Sequence, residues 1–253
     1  MPFVNKFHLY STSTGLLPIS SPIKRKILKF LSKGKKTQKE VMNLVKRSQS
    51  TTARHMLELE ASGLVKSYID EKDSRRKIYL VTGELVAEGG DPVHRLKNHI
   101  KQSAANGIKK DGNLKENINK SLRFVVESWG LSLDSMLRET GRSIGEQVIT
   151  KLGPTNGNIE KLIEELAFFW DKNNMGLVKI EKKKPLVLRI ESNYDCTGIP
   201  DVGRPLCALD EGIMEAIFDD RTDKLWKIRE YVCHGTGHDH CLFTFKERKN
   251  NNN

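Results

Sequence analysis

Residues 21–82 contain a dense series of helix and turn signals, and this series constrains the fold of the chain more than any other feature. Ser21, Thr37 and Ser48 each stand at the start of a helical pattern, where a short polar side chain caps free backbone N–H groups. Two runs of strand-forming residues then flank a charged turn at residues 70–76, which is typical of a β-hairpin. The segment is therefore predicted to fold as three short helices followed by a hairpin.

This order of elements is that of a winged helix-turn-helix. The stretch ARHMLELEASGLVKSYIDEKDSRRKIYLVT resembles the arsenical-resistance-repressor type, which implies that the third helix enters the major groove while the wing tip contacts the backbone or the minor groove. Predicted DNA contacts are Ser48, Gln49, Ser50, Thr51, Thr52, Arg54 and His55 on the helix, with Arg75, Arg76 and Lys77 on the wing. Helix capping is the alternative role for Ser48 and Thr51, and a solvated face is the alternative for Arg54. Such folds act as dimers on two half-sites, so double-stranded DNA and a second copy of the chain are the predicted partners.

The distribution of charge favours the same partner. Residues 1–80 carry 17 Lys and Arg against 6 Asp and Glu, whereas the remaining 173 residues carry 26 of each sign. A positive excess confined to one segment is typical of a module that binds a polyanion. The alternative is a lysine-rich surface that only keeps the chain soluble.

The four cysteines, Cys196, Cys207, Cys233 and Cys241, all lie in the last quarter of the chain. No apolar run is long enough to span a membrane and the N-terminus lacks a signal-peptide pattern, so we expect a cytoplasmic protein with no membrane partner. In that compartment, clustered cysteines favour metal ligation or thiol redox chemistry. Cys207 is predicted at a helix start, where the helix dipole lowers a thiol pKa. Zinc requires four ligands, and the candidates to join three of the cysteines are Glu230, Cys196, His234, His238 and His240.

Residues 100–247 resemble the 4-vinyl reductase (4VR) sensor domain through LRETGRSIGEQV, CTGIPDVGRPLCALDEGIMEAIF and REYVCHGTGHDHCLF. That resemblance implies a zinc site formed by Cys207, Glu230, Cys233 and Cys241. The alternative for Glu230 is pairing with a neighbouring Arg229 or Lys227 on a strand face. Joined to a winged helix, the domain resembles the redox-responsive regulators of methanogenic archaea, which implies that thiol oxidation controls DNA binding. Cys196 is then either a resolving thiol or a small buried apolar residue.

The predicted fold class is α+β, with an N-terminal winged helix-turn-helix and a C-terminal mixed α/β sensor domain that carries a cysteine-rich metal site. The predicted divisions are an extended segment at 1–20, the DNA-binding domain at 21–82, a linker containing a helix at 83–114, the sensor at 115–247 and a disordered tail at 248–253. A second hypothesis makes the zinc structural and the sensor a small-molecule receptor. The cavity of that receptor would be lined by Phe124, Trp129, Phe168, Phe169 and Trp170. No nucleotide loop or nucleophile elbow is found, so an enzyme is not expected.

Overall fold

The computed structural model describes residues 6–71, 73–90, 92, 94–109, 113–153 and 157–248. The chain divides into two compact units, Met1–Pro92 with Gly130–Leu133, and Val93–Trp129 with Asp134–Asn253. The boundaries of these compact units differ from the predicted domain boundaries. The predicted division into domains stays a prediction. Residues 249–253 of the predicted tail lie outside the described residues.

The first unit contains a winged helix-turn-helix and a second small sheet. Its elements are β1 (His8–Thr12), β2 (Gly15–Ile19), α1 (Pro22–Leu31), β3 (Lys36–Thr37), α2 (Gln38–Val45), α3 (Gln49–Ala61), β4 (Val65–Asp70), β5 (Asp73–Val81), β6 (Glu84–Gly89) and β7 (Leu131–Ser132). The wing is a three-stranded antiparallel sheet in the order β3-β5-β4, and the other sheet has the order β2-β1-β6-β7.

Local sequence signals explain the helices of this unit. The Ser21 side chain accepts a hydrogen bond from the Lys24 N–H, and Thr37 forms a capping box with Glu40. Their apolar faces meet in one core. The fully buried side chains of that core include Ile27, Leu28, Leu31, Val41, Met56, Leu59 and Leu64. The predicted winged helix-turn-helix is thereby confirmed.

Strand β6 lies where the sequence predicted a linker. Its register with β1 pairs His8 with Glu88 and Leu9 with Ala87, and the Gly89 N–H donates to the Phe7 carbonyl at 2.7 Å. The apolar stretch of β6 is short, and its partner is the distant N-terminal strand, so no local pattern marks it as a strand. Only the pairing across the sheet stabilises the segment as a strand.

The second unit is the mixed α/β domain that the sequence predicted. Its elements are α4 (Leu96–Gly107), α5 (Leu114–Ser128), α6 (Asp134–Ile149), α7 (Ile159–Lys172), β8 (Leu177–Lys183), β9 (Leu186–Glu191), α8 (Ala208–Thr222), β10 (Trp226–Val232), a 3-10 turn (His234–Thr236) and β11 (His240–Glu247). The strands form one antiparallel sheet in the order β10-β11-β9-β8. Helix α8 begins directly after Cys207, and Arg204 is disfavoured in helical conformation because Pro205 follows it.

Helix α8 is almost entirely buried and packs closely on α6. A Cβ at Gly141 would lie 2.1 Å from the Leu209 carbonyl oxygen, and one at Gly212 would lie 2.0 Å from that of Arg138. Only glycine permits so close an approach of two helix backbones. This crossing fixes the N-terminal end of α8, where Cys207 is the N-cap residue.

Buried carboxylates of α8 satisfy the free edge of the sheet. The backbone N–H groups of Trp226, Ile228 and Glu230 in β10 donate to Asp219, Glu215 and Glu211, at 2.6, 3.0 and 2.8 Å. An edge strand otherwise leaves such donors unpaired. Helix α8 and strand β10, which carry two of the predicted ligands, are thus held together along their length.

Among the described residues, no helix combines the length and the apolar character that crossing a bilayer requires.

Candidate metal centre and nucleic-acid interface

Five potential ligands meet at one end of the second unit. Cys207 caps α8, Glu230 lies in β10, Cys233 follows β10 at the start of the 3-10 turn, and Cys241 lies in β11. Cys196 lies in the loop after β9. The side chains of all five residues are buried.

The distances within this cluster are short enough for its ligand atoms to hold one metal ion. One ligand atom from each of Cys196, Cys207, Glu230 and Cys233 lies within 4.8 Å of the others. The Cys241 sulfur lies 3.2 Å from that of Cys196 and 3.9 Å from that of Cys207. The set of mutually close ligand atoms therefore contains three of the four predicted ligands, Cys207, Glu230 and Cys233, together with Cys196, and Cys241 lies beside this set.

Glu230 is held by one carboxylate oxygen and has the other one unpaired. Oε2 accepts hydrogen bonds from the backbone N–H groups of Leu206 and Cys207, at 3.0 and 2.9 Å. Oε1 is buried and has no hydrogen-bond partner among the described residues. Burial raises the pKa of the Glu230 carboxyl to about 8. Its neighbour Arg229 instead contacts carboxylates of α8.

An unpaired buried oxygen is costly, and a cation would satisfy it. Thiolates and one carboxylate form a donor set that suits zinc or another borderline to soft metal. The residues of this centre therefore fit a metal ion. Five donors are one more than a tetrahedral site uses.

The thiols differ in their ease of ionisation. Hydrogen bonds from the sulfurs of Cys196, Cys207 and Cys241, with a further one from the Gly235 N–H, lower the pKa of Cys233. Burial raises the pKa of the Cys207 thiol well above its usual value. The prediction that the helix start lowers the Cys207 pKa is therefore wrong, because desolvation exceeds the effect of the dipole. All four cysteines are buried.

The three histidines proposed as ligands make other contacts. His234 Nδ1 accepts from the Gly198 N–H at 3.4 Å. His238 Nδ1 lies 3.0 Å from the Thr236 hydroxyl, and His240 Nδ1 lies 2.6 Å from Asp239.

A cavity of about 240 Å³ borders the centre. It is lined by Asp134, Arg138, Arg204, Pro205, Cys207, Ala208, Glu211, Arg229 and Glu230. Arg204 links the loop before α8 to the neighbouring helices through ion pairs with Glu127 and Asp134. Of the residues of the centre, Cys207 and Glu230 line this cavity.

The first unit presents the start of α3 to solvent. Gln49, Ser50 and Thr51 are exposed, and the Ser48 side chain caps the helix by accepting from the Thr51 N–H at 3.3 Å. Thr52 is wrongly predicted as a DNA contact, because it is fully buried and donates to the Ser48 carbonyl at 3.1 Å.

The predicted basic contacts differ in freedom. Arg54 is 80% exposed while pairing with Glu58 at 2.9 Å, so it can exchange this partner for DNA. His55 is only 19% exposed and lies 3.8 Å from Glu58. On the wing, Arg75 is 90% exposed.

A groove of about 300 Å³ joins the helix and the wing. It is lined by Thr37, Gln38, Lys39, Met42, Gln49, Arg75, Arg76 and Lys77. Arg76 is exposed, whereas Lys77 pairs with Glu60 at 3.3 Å. Gln38 and Lys39, in the first turn of α2, also line this groove. In the sequence they form a polar, basic first turn directly after the Thr37 cap.

The five aromatic residues of the small-molecule hypothesis do not line one enclosed cavity. Phe124 and Trp170 are buried in the core of the second unit, and Phe169 packs against that core. Trp129 and Phe168 are 59% and 66% exposed. The structure thus provides no support for a pocket formed by this set.

Two known families match parts of the chain. Residues 21–67 match the family described as "Bacterial regulatory protein, arsR family", and residues 186–247 match the V4R domain. The first family points to DNA-binding transcriptional regulation.

Similar proteins occur in Methanocaldococcus jannaschii. One uncharacterized protein is 31% identical over 83 residues, which are 33% of this chain and 52% of that protein, so the chain spans about half of that relative. Another is 24% identical over 167 residues, which are 66% of this chain and 87% of that protein.

Two solved structures are similar to parts of the chain. A vinyl-4-reductase family protein from M. jannaschii is 19% identical with a TM-score of 0.39, covering 61% of this chain and 93% of its own. The transcriptional regulator BldR from Sulfolobus solfataricus is 26% identical with a TM-score of 0.24, covering 41% of this chain and 73% of its own.

Proposed function

We propose that this chain, which joins an arsR-family helix-turn-helix domain to a V4R domain, is a transcriptional regulator whose cysteine centre senses redox state and thereby controls operator binding. The observation that carries the proposal is the buried cluster of thiols around the unpaired Glu230 Oε1. Thiols are oxidisable and thiolates bind metal, so a change of redox state would alter this cluster directly.

DNA binding is proposed to use the first turns of α3 and the wing. Exposed hydroxyl and amide side chains at Gln49, Ser50 and Thr51 suit base edges or phosphates. The side chains of Arg54 and Arg75 are 80% and 90% exposed, and exposed guanidinium groups bind phosphate or guanine bidentately. Two copies of the chain would place two such surfaces on two half-sites.

Zinc is proposed as the metal, held by Cys207, Glu230, Cys233 and Cys241, with Cys196 beside them. The ion would keep the thiols in their thiolate form without taking part in electron transfer itself. The protein would supply the burial that excludes water and the backbone N–H groups that orient Glu230 and Cys233. Oxidation of the sulfurs would then remove ligands from the ion.

The contacts within the second unit support a route from the centre to α6. The Glu230 N–H bonds to Glu211 of α8, and Glu211 pairs with Arg138 of α6. Arg204, three residues before Cys207, pairs with Asp134, the first residue of α6. A rearrangement at the sulfurs would displace α8 and these ion pairs together, and we propose that it changes the geometry of the dimer.

The test is to measure metal content, free thiols and DNA affinity on anaerobically purified protein before and after oxidant. We expect about one zinc per chain, lost together with a change in DNA affinity. Reductant and zinc should restore the affinity, which separates the switch from damage. Unchanged affinity after complete thiol oxidation would contradict redox control, and absence of metal from the reduced protein would contradict the zinc site.

A further inference from the structure

We infer that Cys196 and Cys241 are the two cysteines that form a disulfide when the centre is oxidised. Cys207 and Cys233 stay reduced and remain, with Glu230, as the ligand set. The inference deepens the proposed function and rests on it, because it assigns the redox step to two named sulfurs. It gives Cys196, which lies outside the ligand pattern implied by the resemblance, a role of its own.

The distances select this pair. The sulfurs of Cys196 and Cys241 lie 3.2 Å apart, whereas those of Cys207 and Cys241 lie 3.9 Å apart. A disulfide bond is about 2 Å long, so the first pair needs the smaller movement. Both side chains of that pair are completely buried, which keeps the sulfurs in contact with each other rather than with water.

The surrounding backbone permits the movement at one partner. Cys241 lies in β11 opposite Ile190 of β9, in the interior of the sheet, and is fixed there. Cys196 lies in the stretch between β9 and α8, which contains turns and no regular helix or strand. Its carbonyl accepts from the Ile199 N–H at 3.0 Å in a local turn. Such a loop adjusts by about 1 Å more readily than a strand inside a sheet.

The other sulfurs are less available. Cys233 Sγ accepts a hydrogen bond from the Gly235 N–H at 3.1 Å, which orients it as a ligand. Cys207 is the N-cap of α8, and its N–H is bound to Glu230, so its backbone moves only with the helix. A tetrahedral ion uses four of the five donors, and in the proposed ligand set the sulfur left free of the metal is that of Cys196.

The oxidation balances with peroxide as the two-electron oxidant. The Cys196 thiol and the Cys241 thiolate lose one proton and two electrons as the S–S bond forms, while hydrogen peroxide accepts that proton and both electrons and leaves as one water molecule and one hydroxide ion. Neither sulfur of the disulfide is then a thiolate ligand. The centre falls from five donors to three, so the metal should pass to a chelator faster after oxidation.

The experiment maps disulfides in the full-length protein after anaerobic treatment with one equivalent of hydrogen peroxide. Free thiols are alkylated under denaturing conditions with chelator present, and the peptides are identified by mass spectrometry. We expect a crosslink between the peptides of Cys196 and Cys241, with Cys207 and Cys233 alkylated. A crosslink that contains Cys207 or Cys233, or no intramolecular disulfide, would overturn the inference.

Two variants sharpen the test. In Cys196→Ser the peroxide-dependent intramolecular disulfide should be lost, while the reduced protein still binds one cobalt(II) ion with thiolate-to-metal absorption. In the matched Cys207→Ser variant the Cys196–Cys241 crosslink should still form. Persistence of an intramolecular disulfide in Cys196→Ser would contradict the assignment, and mapping of the unmodified chain decides the matter if either variant fails to fold. A Cys196–Cys241 crosslink without any change in DNA affinity would refute the proposed function and leave this inference standing.

Discussion

Replacing Gly212 with alanine should destabilise the second unit and loosen the end of α8 that carries Cys207. A Cβ at this position would lie 2.0 Å from the carbonyl oxygen and 2.9 Å from the carbonyl carbon of Arg138. Both atoms belong to the backbone of α6, so no side-chain rotation relieves the overlap. The helices must separate, and the buried ion pairs between them lengthen.

Two opposing contributions determine the size of the effect. In an unhindered helix interior, glycine to alanine stabilises by about 1 kcal/mol. Overpacking costs about 1–3 kcal/mol and sometimes more, and the upper end applies here because Gly141 makes an equally short approach on the same crossing. A net loss of about 2 kcal/mol lowers the Tm of a domain of this size class by roughly 4–8 °C.

Thermal unfolding of the reduced protein, followed by calorimetry, measures this change. Gly90→Ala is the matched control, because its Cβ would meet only the Gly130 carbonyl oxygen at 3.6 Å, an ordinary contact. The control should shift the Tm by no more than roughly 2 °C. A Gly212→Ala protein as stable as the control would refute the close packing of α6 on α8.

Three further changes have specific expected outcomes. Arg76→Ala on the exposed wing tip should weaken DNA binding and lower its salt dependence by about one released counterion. Lys184→Ala, which removes an exposed cation of the other unit, should change neither quantity. Equal effects of the two variants in a salt titration would show that the wing does not contact DNA. Glu215→Leu leaves the Ile228 N–H without its acceptor and removes the shorter of the two ion pairs of Arg229. It should therefore cost about 3–5 kcal/mol of unfolding free energy, and a loss below about 1 kcal/mol in denaturant titration would contradict the network. Burial raises the pKa of Asp210 to about 7, so its contribution to stability is complete below about pH 4 and lost as pH rises to about 7. Asp210→Asn should therefore show a flatter dependence of unfolding free energy between pH 4 and 7, and an unchanged slope would exclude Asp210 as the titrating group.

The fold of the first unit followed from local signals. Caps at Ser21, Thr37 and Ser48 and the hairpin pattern act within a few residues, so their effect is visible in sequence. Strand β6 was missed because its stability comes from pairing with β1, which lies more than 70 residues earlier in the sequence. Burial of Thr52 was likewise missed, since it depends on how α3 packs on the other helices.

The sequence by itself determined which ligand types the centre contains. The cysteines and Glu230 can be read directly from the chain, and the resemblance to the 4-vinyl reductase domain implied which of them act as ligands. Only the tertiary structure decided that Cys196 lies within this cluster. Packing places this loop residue next to Cys241 of β11, and its position along the sequence does not predict that contact. It also reversed the expected pKa of Cys207. Desolvation depends on everything that surrounds a group, whereas a helix start depends only on a few neighbours in the chain.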